Sequence, residues 1–358
     1  MRQKLPDFPW DALAPYGAIA RSHPDGAIDL SVGTPVDATP EFIQSALSQN
    51  SNSPGYPLTA GTPELRAALE RWARTRLHAS GEIGVLPVIG SKELVAWLPT
   101  LLESTHVLYP EIAYPTYLVG ALLAQAEHSA VGIAAEEWPA ADLAWVNSPS
   151  NPTGRVHSAA ELQAAITWSR RHNAVLISDE CYLEFADTKE PTSILQHTGG
   201  DNRNILAVHS LSKRSSLAGY RAAFVVGDPA LIARMLEVRK HAGMMVPLPV
   251  QHAMVAALSD DAHVATQRAR YNARRAIMRP ALIAAGFTIE DSEAGLYLWA
   301  TRGEDAWASI QWLAERGIVA TPGIFYGSAG ASHIRIAMTA SDADIAQAAA
   351  RITGAGSR

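Results

Sequence analysis

Six short apolar runs punctuate the chain, at 85–89, 107–109, 143–146, 175–177, 205–208 and 222–226. Runs this short and this continuous fit strands buried on both faces. Helix starts lie between them. Thr62 stands before Pro63, an N-cap followed by a proline at the first helical position. Ser158 with Glu161 forms a capping box, and Asp228-Pro229 opens a third helix. Strands alternating with helices predict an α/β fold built on a mostly parallel, doubly wound sheet. From about Ala262 the pattern changes: an arginine-rich helix over 267–285 leads to the apolar stretches 295–299 and 333–337. This predicts a smaller α+β domain, completed by the irregular, proline-rich segment 1–31. The expected division is a large domain over 32–262 and a small one made of 1–31 and 263–358.

In open α/β sheets, ligands bind beyond the carboxyl ends of the strands. After the run 85–89 come Gly90, Ser91 and Lys92 at a helix start, where free backbone N–H groups suit an anion. After 143–146 come Asn147-Ser148-Pro149-Ser150-Asn151-Pro152-Thr153-Gly154. After 175–177 come Ser178-Asp179-Glu180-Cys181-Tyr182. After 205–208 come Ser210, Ser212 and Lys213, with Arg221 eight residues beyond the lysine. Hydroxyls and a guanidinium match a phosphate, and a lysine can bond covalently to a carbonyl. A phosphate and an aldehyde together point to pyridoxal phosphate, whose ring nitrogen needs an acidic partner. Each signal alone has an ordinary reading as a helix cap, a turn or an exposed lysine. Their arrival at one edge of one sheet outweighs those readings.

Composition narrows the picture further. The 358 residues carry a formal net charge of −6 and one cysteine, Cys181, which excludes an intrachain disulfide. No basic run or metal-ligand spacing points to nucleic acid or a bound metal. The N-terminal MRQKLPDFPWDALAPYG lacks the apolar core of a signal peptide, and no run approaches the ~20 apolar residues of a membrane span. A soluble, cytoplasmic protein is expected. Neither a Rossmann nor a Walker glycine pattern occurs.

The stretch 210–223 resembles the lysine signature of the class I/II aminotransferases of pyridoxal phosphate fold type I. SPSNPTG and DECY resemble that family's other cofactor motifs, and GYPLTAGTPELRAAL and HIRIA its remaining landmarks. The resemblance implies that Lys213 carries the cofactor covalently and moves the substrate proton. It implies that Asp179 faces the ring nitrogen and that Asn151 and Tyr182 bond the ring hydroxyl. Ser91, Ser210 and Arg221 would hold the phosphate, with Ser212 and the Lys92 backbone as further candidates. Tyr114 matches an aromatic that stacks on the ring. Tyr56 resembles a tyrosine that reaches a neighbouring subunit's phosphate, so a homodimer is expected. Arg335, with Gly33 and Asn151, would take the substrate α-carboxylate.

The cofactor motifs do not separate an aminotransferase from a β-lyase of the same fold, because the cofactor carries the hard chemistry. A pyridoxal phosphate-binding regulator would need a DNA-binding extension, for which residues 1–30 offer neither room nor basic charge. Across LSVGTP, PEIAYPTY, HSLSKRSSLAGYR and RKHAGMMVP the chain is most similar to the bacterial N-succinyldiaminopimelate aminotransferases. That resemblance implies N-succinyl-L,L-2,6-diaminopimelate and 2-oxoglutarate as substrates. Lys240, His241 and the pair Met244-Met245, in a stretch that the resemblance places at the partner subunit's pocket, are candidates for the far end of the substrate. Cys181 is expected to be buried packing.

Overall fold

The computed structural model describes residues 5–354; the four residues at each end of the expected small domain lie outside it. The first strand, β1 (Ile28–Asp29), is two residues long and survives by pairing in parallel with β11 (Ile318–Val319). The large sheet takes β2 (Gly84–Val88), β3 (His106–Pro110), β4 (Glu127–Val131), β5 (Leu143–Asn147), β6 (Val175–Asp179), β7 (Ile205–Ser210) and β8 (Ala223–Gly227), in the order β2-β8-β7-β6-β5-β3-β4. Neighbours from β7 to β4 run parallel, and β8 runs antiparallel to both β2 and β7. All six apolar runs became strands of this sheet. The seventh, β4, was not predicted: Glu-His-Ser-Ala-Val is half polar because an edge strand with one neighbour need not be buried on both faces.

Alternate side chains of each strand enter two different cores, as a period of two requires. Ala144, Leu176, Ala207 and Phe224 face one core with Leu69, Trp72 and Ile166. Trp145, Ile177, Leu206 and Val225 face the other with Leu98 and Tyr117. Covered on both sides, β5, β7 and β8 are buried at every position.

The expected helix starts are present. Thr62 Oγ1 accepts from Leu65 N at 3.1 Å, and Ser158 and Glu161 cap each other's backbone. Asp228 Oδ1 accepts from Ala230 N at 2.8 Å. The arginine-rich helix runs Ala262–Ala284. Beyond it, β9 (Thr288–Glu290), β10 (Tyr297–Thr301), β12 (Thr321–Pro322) and β13 (His333–Ala337) form an antiparallel sheet ordered β12-β13-β10-β9. Its core of Leu298, Ile310, Ile336 and Ile345 also takes in Leu13, Ile28 and Leu30. The N-terminal segment thus packs with the C-terminal part.

Candidate active site

Parallel register sets the site. Asn147 pairs with Asp179, and Asp179 with Val208, so β5 and β6 end level and β7 runs two residues further, to Ser210. Past each of these ends the chain turns and delivers a polar side chain.

After β5, the turn is fastened by Asn147. Its Oδ1 accepts from Asn151 N at 2.7 Å, and its Nδ2 donates to the Asp179 carbonyl at 2.9 Å. β6 ends in Asp179, which is 6 % exposed. Its carboxyl accepts from Tyr117 Oη at 2.9 Å and from Cys181 N at 3.2 Å. Burial pushes this carboxyl above its ordinary value, against the pull of those hydrogen bonds. Among the described residues no lysine or arginine forms an ion pair with it.

β7 runs into the short helix Leu211–Arg214, which holds Lys213 at the sheet edge. Lys213 Nζ donates to the Gly33 carbonyl. Burial pushes the ammonium below its ordinary value, and the nearby Arg335 and Arg221 act in the same direction. Ser210 Oγ accepts from Ser212 N at 3.1 Å and donates to Ser212 Oγ at 2.9 Å, so the two hydroxyls sit together.

The helix Ser91–Leu101 begins beside them. Gly90 caps it with φ +98°, and a Cβ there would stand 2.1 Å from Arg221 Nη2. Only glycine permits both that backbone and that approach. Arg221 itself is held with φ 56°, its Nη1 donating to the Ala218 carbonyl at 2.7 Å. The first N–H groups of the helix have no partner within it. Backbone donors, a guanidinium and the hydroxyls of Ser91, Ser210 and Ser212 make a cup that fits a phosphate. The Lys92 side chain turns outward, its Nζ 5.5 Å from the centre of the Phe8 ring, so only its backbone faces the cup.

Opposite the cup, Arg335 on β13 is 3 % exposed. Its Nη1 donates to Asn151 Oδ1 at 2.8 Å and its Nη2 to the Ser31 carbonyl at 2.6 Å. The guanidinium lies 4.0 Å from the Tyr297 ring centre and 5.0 Å from that of Tyr326. Among the described residues no carboxylate pairs with it. Arg335 Nε and Tyr326 Oη are buried without partners. A buried guanidinium with no carboxylate against it fits an anionic ligand.

The remaining expected residues divide. Tyr182 Oη lies 3.2 Å from Tyr297 Oη, and burial pushes the Tyr182 phenol well up. Tyr114 stands edge-on to Tyr117, and burial raises it to about 12, with Asp179 adding to the rise. A Cβ on Gly33 would fall 2.0 Å from Tyr297 Oη, so a larger residue there would push the Tyr297 ring aside. Tyr56 is 97 % exposed and is not part of this cluster within the chain. Lys240 and His241 are not brought to it either: both are exposed and lie against Glu237, at 3.1 Å and 3.5 Å. Met244 and Met245 are half-buried just beyond them. Cys181 lies against Asp179, Ser91 and Lys213, and burial pushes its thiol well up. The sequence reading missed Tyr117, Tyr297, Tyr326 and Ser31. A second tyrosine in Ala113-Tyr114-Pro115-Thr116-Tyr117 was the only local signal for the first of these.

The aminotransferase class I and II family matches residues 25–352. The chain belongs to that family. Its members depend on pyridoxal phosphate, and the chain is a pyridoxal phosphate-dependent aminotransferase of fold type I. It is 52 % identical over 358 residues to the 4-dedimethylamino-4-oxo-anhydrotetracycline transaminase OxyQ of Streptomyces rimosus, covering 98 % of this chain and 100 % of that one. It is 54 % identical to a probable aminotransferase of Mycobacterium tuberculosis, covering 98 % of this chain and 85 % of the relative. A solved structure described as a probable N-succinyldiaminopimelate aminotransferase from Thermus thermophilus superposes with a TM-score of 0.89 at 28 % identity, covering 97 % of this chain and all (100 %) of that one.

Proposed function

We propose that this aminotransferase exchanges amino groups between an amino acid with a long, anionic far end and 2-oxoglutarate, with N-succinyl-L,L-2,6-diaminopimelate as the amino acid. The observation that carries the reading is Arg335, a buried guanidinium with no acidic partner among the described residues. An α-carboxylate is common to every amino and keto acid, and a guanidinium fork takes it on two prongs.

When bound, pyridoxal phosphate supplies an electron sink for the bond broken at the substrate α-carbon. The chain's own residues do the rest. Lys213 anchors the cofactor, and its depressed basicity suits Nζ to accept and return the α-proton. Asp179 supplies the negative charge beside the ring nitrogen, fixed by Tyr117 and Cys181. Asn151 commits its Oδ1 to Arg335, which leaves Nδ2 as its free donor toward the ring hydroxyl, beside Tyr182. Tyr114 covers the ring. Ser91, the Lys92 N–H, Ser210, Ser212 and Arg221 hold the phosphate. Gly33 gives the substrate carboxylate close backbone approach. The large body is 32–262 and the small body 1–31 with 263–358. Two copies assemble as a cytoplasmic homodimer, in which the exposed Tyr56 reaches the neighbour's phosphate. Among the described residues no helix is long and apolar enough to cross a membrane.

Support for the substrate comes from the Thermus thermophilus neighbour and from the mouth of the site. There the Phe8 and Trp10 rings meet at a tilt with centres 5.5 Å apart, Trp10 lies 6.3 Å from Tyr326, and Lys92 beside Phe8 has no acidic partner among the described residues. An apolar wall ending in a free cation suits a methylene chain with a terminal carboxylate. The 52 % identity to OxyQ favours a second reading, a planar polycyclic ketone as amino acceptor. The discriminating test is kcat/KM for N-succinyl-diaminopimelate against free diaminopimelate, alanine, aspartate, aromatic amino acids and an anhydrotetracycline ketone. The succinylated substrate should lead. Another amino acid ahead by about tenfold, ~1.4 kcal/mol, rejects the substrate, and turnover of the ketone alone selects the second reading.

A further inference from the structure

Glu93 and Arg239 form a two-pronged ion pair, Nη1 to Oε1 and Nη2 to Oε2 both at 3.0 Å. Arg239 is 0 % exposed and sits in the last turn of the helix Pro229–Ala242. Glu93 stands in the first turn of the helix Ser91–Leu101, three residues after Gly90. Neither side chain has a part in moving the amino group. We infer that Glu93 and Arg239 are a positioning pair for the cofactor phosphate, an inference that rests on the phosphate lying in the Gly90–Arg221 cup.

Two physical demands meet at this pair. The backbone donors of the cup belong to the first turn of the Ser91 helix, and a binding group must be held tightly by its supports to be effective. Leu94, Val95 and Leu98 pack that helix into the core, but Gly90, with no side chain, leaves its start unsupported. The fork from Arg239 holds the first turn from the other helix. Charge is the second demand. An unpaired Glu93 carboxylate within one turn of a phosphate would repel it, and Arg239 neutralises that carboxylate.

The test titrates full-length apoenzyme with pyridoxal phosphate and, separately, with pyridoxal, which lacks the phosphate, following absorbance. Arg239→Gln should raise the Kd for pyridoxal phosphate about tenfold or more, and that for pyridoxal by less than about threefold. Glu93→Gln, which loses the fork but also removes the repelling charge, should weaken pyridoxal phosphate binding less than Arg239→Gln, and the double variant should be no worse than Arg239→Gln alone. If Arg239→Gln does not fold, Arg239→Lys, which keeps the charge and loses the fork, takes its place beside Glu93→Gln. Equal weakening of both ligands, or of neither, overturns the inference. Arg221→Ala tests the underlying reading. If it leaves the preference for the phosphorylated form intact, the phosphate lies elsewhere and the inference falls with it. If it abolishes the preference while the pair variants do not, only the pair's role is overturned.

Discussion

Arg335 donates to Asn151 across 184 positions of sequence, at 2.8 Å. The bond joins β13 of the C-terminal sheet to the turn after β5 of the large sheet, so one guanidinium ties the two sheets together at the site. Arg335→Lys keeps the charge but cannot hold Asn151 Oδ1, the Ser31 carbonyl and an incoming carboxylate together. The expected result is a loss of about a hundredfold or more in kcat/KM, ~2.7 kcal/mol, with most of it in KM. The cofactor's absorbance should be retained. Unchanged KM for every amino acid would place the carboxylate elsewhere.

Asp179 carries a prediction with a definite sign. Burial raises its carboxyl above the ordinary 3.8. A carboxyl raised on folding adds stability below its unfolded value and loses it as pH climbs through the folded one. At neutral pH the apoenzyme therefore bears the cost of a buried carboxylate. The Tm of apo Asp179→Asn minus that of wild-type apoenzyme should be most positive near neutral pH and should fall as pH drops toward ~4. A difference that grows on acidification contradicts the assignment. Turnover of the loaded variant should fall well beyond tenfold, ~1.4 kcal/mol; a smaller loss means another acid serves the ring nitrogen.

Gly90→Ala introduces a Cβ 2.1 Å from Arg221 Nη2 at a φ of +98°. The arginine must move or the helix start must shift, and either opens the phosphate cup. Pyridoxal phosphate affinity should drop by about tenfold or more, measured by titration of the apoenzyme. Affinity equal to wild type would show that the cup does not hold the phosphate.

Tyr56 is 97 % exposed and packs against nothing in its own chain's core. In the proposed dimer it serves the neighbour. Mixing Lys213→Ala chains with Tyr56→Phe chains should restore activity above that of either variant alone, because one site of the hybrid receives both native residues. Light scattering showing a fully active monomer would rule this out.

What was legible in the sequence was local or periodic. The caps at Thr62, Ser158 and Asp228 each depend on residues within three positions, and the apolar runs announce burial on two faces. The polar residues at the ends of β5, β6 and β7 were found because register places strand ends together. Other parts depend on distant chain segments. The Gly33 carbonyl meets Lys213 from 180 positions away, and Tyr297 reaches Tyr182 from 115. No local pattern encodes such meetings. β4 escaped notice because an edge strand tolerates polar residues. Lys240 and His241 belong to a stretch expected to serve the partner subunit's pocket; within one chain both lie exposed against Glu237.

The central claim is that Lys213 anchors the cofactor at the end of β7. Borohydride reduction of the holoenzyme, followed by peptide mapping, tests it directly. The label should appear on the peptide containing Lys213 and be absent from the Lys213→Ala protein. A label on Lys92 or Lys240 instead would contradict the account.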